Sequence, residues 1–376
     1  MRDFSDASHY QDFYLRLMFE HVETLIVGGS QAGLATGYHL AQLGRSFLIL
    51  EANQQIGSSW RTRWDSLQLF TPAHLSDLPG LDFPGPRYRC PTKDEMADYL
   101  EAYAAKFDLP VRLGLCVDSV TKIADQFVIS AGDHRFQADN VVLATGGYQA
   151  AYVPDFAAEL DPGITQLHSS EYRRPSQLAN GDVLVVGAAN SGAEIALEVS
   201  AMHRTWLSGR HPGSEPTRPG SLPDRLFWFF ISRVATVSNP VGRRVRSQLI
   251  NTALPLGRVR TRDLDAAGVT RLPRTVAAQD GRLVMEDGRI VEAANVVWCT
   301  GYRSMFDWVH FAVFDHERQP IHDRGTTAEP GLYFIGLFFL STAASSLVGG
   351  VGRDASYIAQ HIAARTGSHL SPAQGH

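Results

Sequence analysis

The chain has 376 residues, of which 44% are hydrophobic and 19% charged, and carries a net charge of -5 at pH 7, enough length for two to three domains with sizeable cores. No basic domain or stripe stands out, which excludes nucleic acid as a partner and leaves small molecules. Cys90, Cys116 and Cys299 lie far apart without a C-x-x-C, so a zinc or other metal site and a redox dithiol lack their ligands, and a reducing, cytoplasmic setting suits them.

Residues 1–22 hold Asp3, Asp6, Asp12 and Glu20 among aromatics, unlike a signal peptide, and are expected to form an N-terminal arm or helix. Residues 24–27 read as a buried strand, 28–33 (G-G-S-Q-A-G) as a tight turn, 31–43 as a helix stopped by Gly44, and 46–50 as a second strand closed by Glu51. Glycines in such a turn let backbone approach a pyrophosphate, and the helix start aims free N–H groups at it. Ser30 stands where the strict G-x-G-x-x-G pattern has glycine. Glu51, 23 residues after Gly28, suits hydrogen bonds to an unphosphorylated ribose.

The segment 57–72 (G-S-S-W-R-T-R-W-D-S-L-Q-L-F-T-P) follows; its tryptophans and arginines either wall a flat ring and its phosphates or serve as core anchors and solvated charges. Residues 72–91 are proline-rich and expected as an irregular loop over the site. A helix opens at Thr92, strands are expected over 111–120 and 127–129, and 141–146 (V-V-L-A-T-G) ends another strand in a small-residue turn.

The same programme then repeats. Residues 181–192 (G-D-V-L-V-V-G-A-A-N-S-G) give strand and glycine turn, 193–202 a helix, 205–210 a strand ending W-L-S-G-R, and 295–301 (N-V-V-W-C-T-G) the closing strand and Thr-Gly. Gly28 precedes Thr145 by 117 positions and Gly187 precedes Thr300 by 113, so two dinucleotide units are expected in one chain. Arg210 follows Gly187 by 23 residues, the offset of Glu51 from Gly28. An acid repels a 2′-phosphate and an arginine binds it, which assigns FAD to the first unit and NADPH to the second, with Ser208 and His211 assisting Arg210. Residues 212–270 form an insertion of undetermined purpose, with an apolar run at 226–231 and the cluster Arg243, Arg244 and Arg246. The charge-free stretch 330–352 reads as strand, small-residue turn and helix start, not as a membrane span, and Arg353 and Asp354 are expected to pair.

Together these motifs resemble the two-dinucleotide flavoprotein monooxygenases: flavin-containing monooxygenases, plant YUCCA enzymes and bacterial flavoproteins labelled for cation transport. The resemblance covers about residues 23–364 and implies an α/β fold of two Rossmann-like dinucleotide-binding domains. The NADPH domain (161–300, with the insertion 212–270) would be inserted in the FAD domain (23–160 and 301–376). It implies that Gly28, Ser30, Gln31, Gly33 and Glu51 hold FAD, with Trp60 and Arg61 beside it and Val117, Thr145 and Gly146 on its adenine side. Gly187, Ala189, Asn190, Ser191, Gly192, Ser208 and Arg210 would hold NADPH. A family pattern F-x-G-x-x-x-H-x-x-x-F/Y lines up with Pro162, Ile164, His168 and Tyr172, keeping only its last two residues. The implied activity is oxygenation of a small organic substrate by dioxygen through a hydroperoxyflavin. An NADPH oxidase or reductase without oxygen insertion and a non-catalytic NADPH sensor stay open, as does a homo-oligomer.

Overall fold

The computed structural model describes residues 19–213, 221–250 and 255–369; residues 1–18 of the expected arm, and 214–220 and 251–254 of the insertion, lie outside them. The first unit runs β1 (Glu20–Val27), α1 (Gln31–Gln42) and β2 (Phe47–Glu51), and Gly44 stops the helix at φ +64. β1 starts earlier than expected, because Glu20, His21 and Val22 pair with a later strand and belong to the sheet. Leu25, Ile26, Leu34 and Ile49 are fully buried in its core, each side chain contributing roughly 1.5–3 kcal/mol.

Next come α2 (Ser58–Arg61), α3 (Lys93–Lys106), β3 (Val111–Leu113), β4 (Ser119–Ile123), β5 (Gln126–Ala131) and β6 (His134–Leu143). Helix α3 opens in a capping box, the Thr92 side chain and Glu95 each satisfying the other's backbone N–H. The strand expected over 111–120 is broken in two by Gly114, which sits at φ +74 and donates its N–H to Asn53 O at 2.9 Å.

The chain crosses through β7 (Ala150–Ala151) into β8 (Thr165–His168), β9 (Val183–Val186), α4 (Asn190–Val199) and β10 (Thr205–Ser208). Helices α5 (Leu222–Phe229), α6 (Pro240–Ile250) and α7 (Thr261–Ala266) lie in the insertion. Then follow β11 (Thr270–Leu272), the antiparallel trio β12 (Thr275–Gln279), β13 (Arg282–Met285) and β14 (Ile290–Val291), and β15 (Asn295–Trp298). β16 (Tyr302–Arg303) returns antiparallel beside β7, and β17 (Leu332–Phe334) and α8 (Val351–His369) close the fold.

The two large sheets share one strand order over four strands, and each adds a fifth parallel strand beyond them, from late in the chain in the first and from before its other strands in the second. The first reads β3-β2-β1-β6 with β17 on the far side of β6, and the second β11-β10-β9-β15-β8; in these stretches all pairs are parallel. β4 and β5 add an antiparallel edge through the first half of β6. Among the described residues no helix is long and apolar enough to cross a membrane, and 330–352 holds β17 and the start of α8.

Candidate active site between two glycine turns

Both glycine turns are built the same way. Gly28 sits at φ +112 and Gly187 at φ +110, a region that side chains disfavour. A Cβ on Gly28 would lie 2.8 Å from Ala144 O, and one on Gly187 2.2 Å from Cys299 O, the carbonyls just before the two Thr-Gly pairs. A Cβ on Gly33 would meet Gly28 O at 1.9 Å and one on Gly192 would meet Gly187 O at 1.7 Å. The residues departing from the strict pattern, Ser30 and Ala189, are the N-caps of α1 and α4 at φ -97 and φ -79, a backbone conformation that does not require glycine.

The helix starts are open to an anion. Neither N-cap side chain bonds a backbone N–H of its helix, the Ser30 hydroxyl donating instead to the Gln31 amide oxygen at 2.5 Å, and neither first turn holds an acid, whereas α3 carries a capping box with Asp94 and Glu95 in its first turn. Unsatisfied N–H groups and the positive dipole end favour a phosphate there. The residues therefore fit two pyrophosphates.

One cavity of about 340 Å³ joins the two starts: Ser30, Gln31 and Ala32 line one side and Asn190, Ser191 and Glu194 the other. Trp60, Trp64, Phe70, Leu347 and Val348 supply apolar wall and Thr145, Gly146, Arg63 and Tyr302 complete it, surroundings that suit a flat ring. Trp64 Nε1 is buried there without a hydrogen-bond partner. The Gln31 amide oxygen accepts from Trp60 Nε1 at 3.4 Å, and Asn190 is held by the insertion, donating to Pro255 O at 3.1 Å and accepting from Gly257 N at 3.0 Å.

Several expected residues stand elsewhere. Arg61 is turned to α3, with Nη1 on Asp98 at 2.8 Å and Nη2 on Glu101 at 2.7 Å, and does not line the cavity. Arg63 does; its Nη1 donates to the Tyr302 hydroxyl and its guanidinium lies 5.3 Å from that ring's centroid. Ser208 is fully buried, donating to Pro273 O at 2.8 Å and accepting from Thr275 N at 2.9 Å, so its hydroxyl anchors β12 and is spent. His211 bridges Gly213 and Thr261. Val117 stands past Leu115, whose N–H donates to Glu51 O at 3.0 Å, and does not line the cavity. The proline-rich loop 72–91, expected over the site, does not line the cavity; the stretch before it, 67–71, does. The loop itself packs on α3, where the Tyr99 and Tyr103 hydroxyls donate to Leu81 O and Pro79 O at 2.6 and 2.7 Å. Arg353 and Asp354 do not pair: Arg353 donates to Ser232 O at 2.7 Å while Asp354 accepts from Ser341.

The acid and the cation of the two units are offset by one residue. Val27 pairs with Leu50 and Val186 with Ser208, and Gly28 and Gly187 donate to Leu50 O and Ser208 O at 2.8 Å each. Gly209, not Arg210, therefore takes the place of Glu51, and Arg210 comes next, its side chain 76% exposed beside Glu286 at 3.4 Å. Glu51 Oε2 accepts the Gly29 N–H at 2.8 Å and Oε1 holds Asn53.

No motif marks Glu194 or Tyr302. Glu194 is buried against Arg258 at 3.3 Å, and burial raises its pKa above the ordinary carboxylate range. It follows the glycine turn directly in S-G-A-E-I-A, and helical spacing from Asn190 is the signal that places it on the cavity. None of Cys90, Cys116 and Cys299 lines the cavity.

Two sheets with the same four-strand parallel core, each opening on an uncapped glycine-turned helix at a shared apolar cavity, define a two-dinucleotide-binding oxidoreductase fold. Residues 25–217 match the family described as pyridine nucleotide-disulphide oxidoreductase. The chain is 39% identical over 344 residues to an uncharacterized oxidoreductase CzcO-like of Geobacillus kaustophilus, covering 91% of this chain and 98% of that one. It is 28% identical over 386 residues to a probable indole-3-pyruvate monooxygenase, YUCCA3, of Arabidopsis thaliana, covering 91% and 86%. A flavin-containing monooxygenase from Stenotrophomonas maltophilia superposes with a TM-score of 0.75 at 26% identity, covering 93% of this chain and all of that one. The chain belongs to the pyridine nucleotide-disulphide oxidoreductase family, and its likeness to these monooxygenases marks it as a flavin-dependent oxidoreductase.

Proposed function

We propose that the chain is an FAD- and NADPH-dependent monooxygenase of a small organic substrate. The observation that supports this reading is the single cavity shared by the starts of α1 and α4, where the reactive ends of two nucleotides would meet. On this reading the body of 23–160 and 301–376 holds FAD through Gly28, Ser30, Gln31, Gly33 and Glu51, with Trp60, Val117, Thr145 and Gly146 along it. The body of 161–300 holds NADPH through Gly187, Ala189, Asn190, Ser191, Gly192 and Arg210.

FAD held there would supply the chemistry, hydride acceptance from NADPH and reaction with dioxygen. The chain's residues bind and orient. The uncapped helix starts take the two pyrophosphates, the Gly29 and Asn53 contacts hold the Glu51 carboxylate in place for a ribose, and Trp60, Trp64, Phe70 and Val348 exclude water from the rings. Arg63, held by Tyr302, is the cation of the cavity wall.

The test is NADPH consumption in air with candidate substrates, beginning with indole-3-pyruvate, the substrate in the Arabidopsis relative's name. Oxygenated product in step with NADPH supports the reading. Hydrogen peroxide in step with NADPH, without product from any substrate, replaces it with an NADPH oxidase.

A further inference from the structure

The insertion docks on the approach to α8. Val237 N–H donates to Ser341 O at 2.9 Å, Ala235 is buried with Phe339 and Ala343, and Arg353 of α8 donates to Ser232 O at 2.7 Å. Beside this contact lies a second cavity of about 400 Å³, walled by 77–79, Ser232, Arg233, Thr342, Ala344 and residues of 349–353, and sharing no lining residue with the first. Its wall is tightly fitted: a Cβ on Gly350 would meet Ala344 O at 1.8 Å and one on Gly349 would meet Leu75 O at 2.3 Å.

Two guanidinium groups, Arg233 and Arg353, line this cavity, and neither forms an ion pair among the described residues. Asp354, next to Arg353, is turned inward to Ser341. Asp77, the carboxylate of the wall, accepts the Phe83 N–H at 2.6 Å. Two guanidinium groups against one carboxylate leave the cavity wall net positive, a charge that an anion would relieve, and burial and the charge of Arg233 hold Arg353 below the usual arginine range. Thr342 adds a hydroxyl to the same wall.

We propose that this second cavity binds a small molecule through a carboxylate or phosphate group held between Arg233 and Arg353. Guanidinium forks match both groups, and removing one charge-assisted hydrogen bond weakens binding roughly tenfold or more. Leu347 and Val348 of the first cavity lead directly into Gly349 and Gly350 of the second, so an occupant touches a segment that also walls the first cavity.

Titration calorimetry on the purified flavin-loaded protein, at constant ionic strength, with inorganic phosphate in one arm and benzoate in the other, tests this. One saturable site per chain is expected for at least one probe, and the arm that binds identifies the group. Arg233→Gln, at an exposed position with no ion pair to lose, should fold normally and weaken that binding about tenfold or more, as should Arg353→Gln. No binding of either probe in the millimolar range, or unchanged affinity in Arg233→Gln, overturns the proposal.

Discussion

Gly209 lies in the second unit where Glu51 lies in the first, each one residue past the strand partner of the residue before the glycine turn. At Gly209 a Cβ would come within 2.9 Å of Ala188 N, and the backbone sits at φ +143, so the acid's place is kept bare and Arg210 follows. Removing a carboxylate and adding a neighbouring cation favours a 2′-phosphate. Arg210→Ala should raise the KM for NADPH about tenfold and leave that for NADH nearly unchanged. Equal changes for both coenzymes would contradict this.

Gly192→Ala drives a Cβ to 1.7 Å from Gly187 O, forcing the start of α4 off β9. About 1–3 kcal/mol of stability should be lost, with a raised KM for NADPH and unchanged flavin content. Ser30→Gly, at a φ that serine already accepts, should alter stability by about 1 kcal/mol or less. Denaturant melts and the flavin absorbance of the two variants check both statements.

The two arginines of W-R-T-R-W should separate cleanly. Arg61→Ala loses partly exposed ion pairs between α2 and α3, each worth about 1 kcal/mol or less, with little effect on steady-state kinetics. Arg63→Ala removes the cation from the cavity and releases Tyr302, and should lower kcat/KM for NADPH with little loss of stability. The reverse pattern would return Arg61 to the site.

Two carboxylates give opposite pH signatures. Glu95, ion-paired with Arg89 and bonded to the Thr92 N–H, is held down to about 2 from 4.5. Its stabilisation is present above 4.5 and is lost as pH falls towards 2. Glu194 is raised above 4.5, chiefly by burial, against the pull of Arg258. Its neutral form is favoured by folding, so its contribution is full below 4.5 and is lost as pH rises above that value. Melting temperatures across this range should show Glu95→Gln losing its deficit in acid, and Glu194→Gln gaining on the parent towards neutrality.

The doubled architecture was legible because each strand, turn and helix leaves a local mark: apolar runs at 24–27 and 183–186, a glycine where no Cβ fits, and Gly44 stopping α1. The side chains around the cavity were less so. Arg61 and Arg63 differ by two positions, and only the docking of α2 on α3 decides which one meets Asp98. Ser208 reads as a polar residue beside Arg210, yet β12 folds over it and takes its hydroxyl. The connection from α4 into β10 brings Ser208 level with Val186 one residue sooner than Leu50 comes level with Val27, a shift that counting from the glycines does not reveal. The second cavity needed the insertion and α8 side by side, and they are far apart in the chain.

The most direct measurement is the visible spectrum of the purified protein under argon, before and after NADPH. A flavin spectrum that NADPH bleaches is predicted, because both glycine turns open on one cavity. A protein that takes up no FAD, or a bound flavin that NADPH leaves oxidised, would contradict the account.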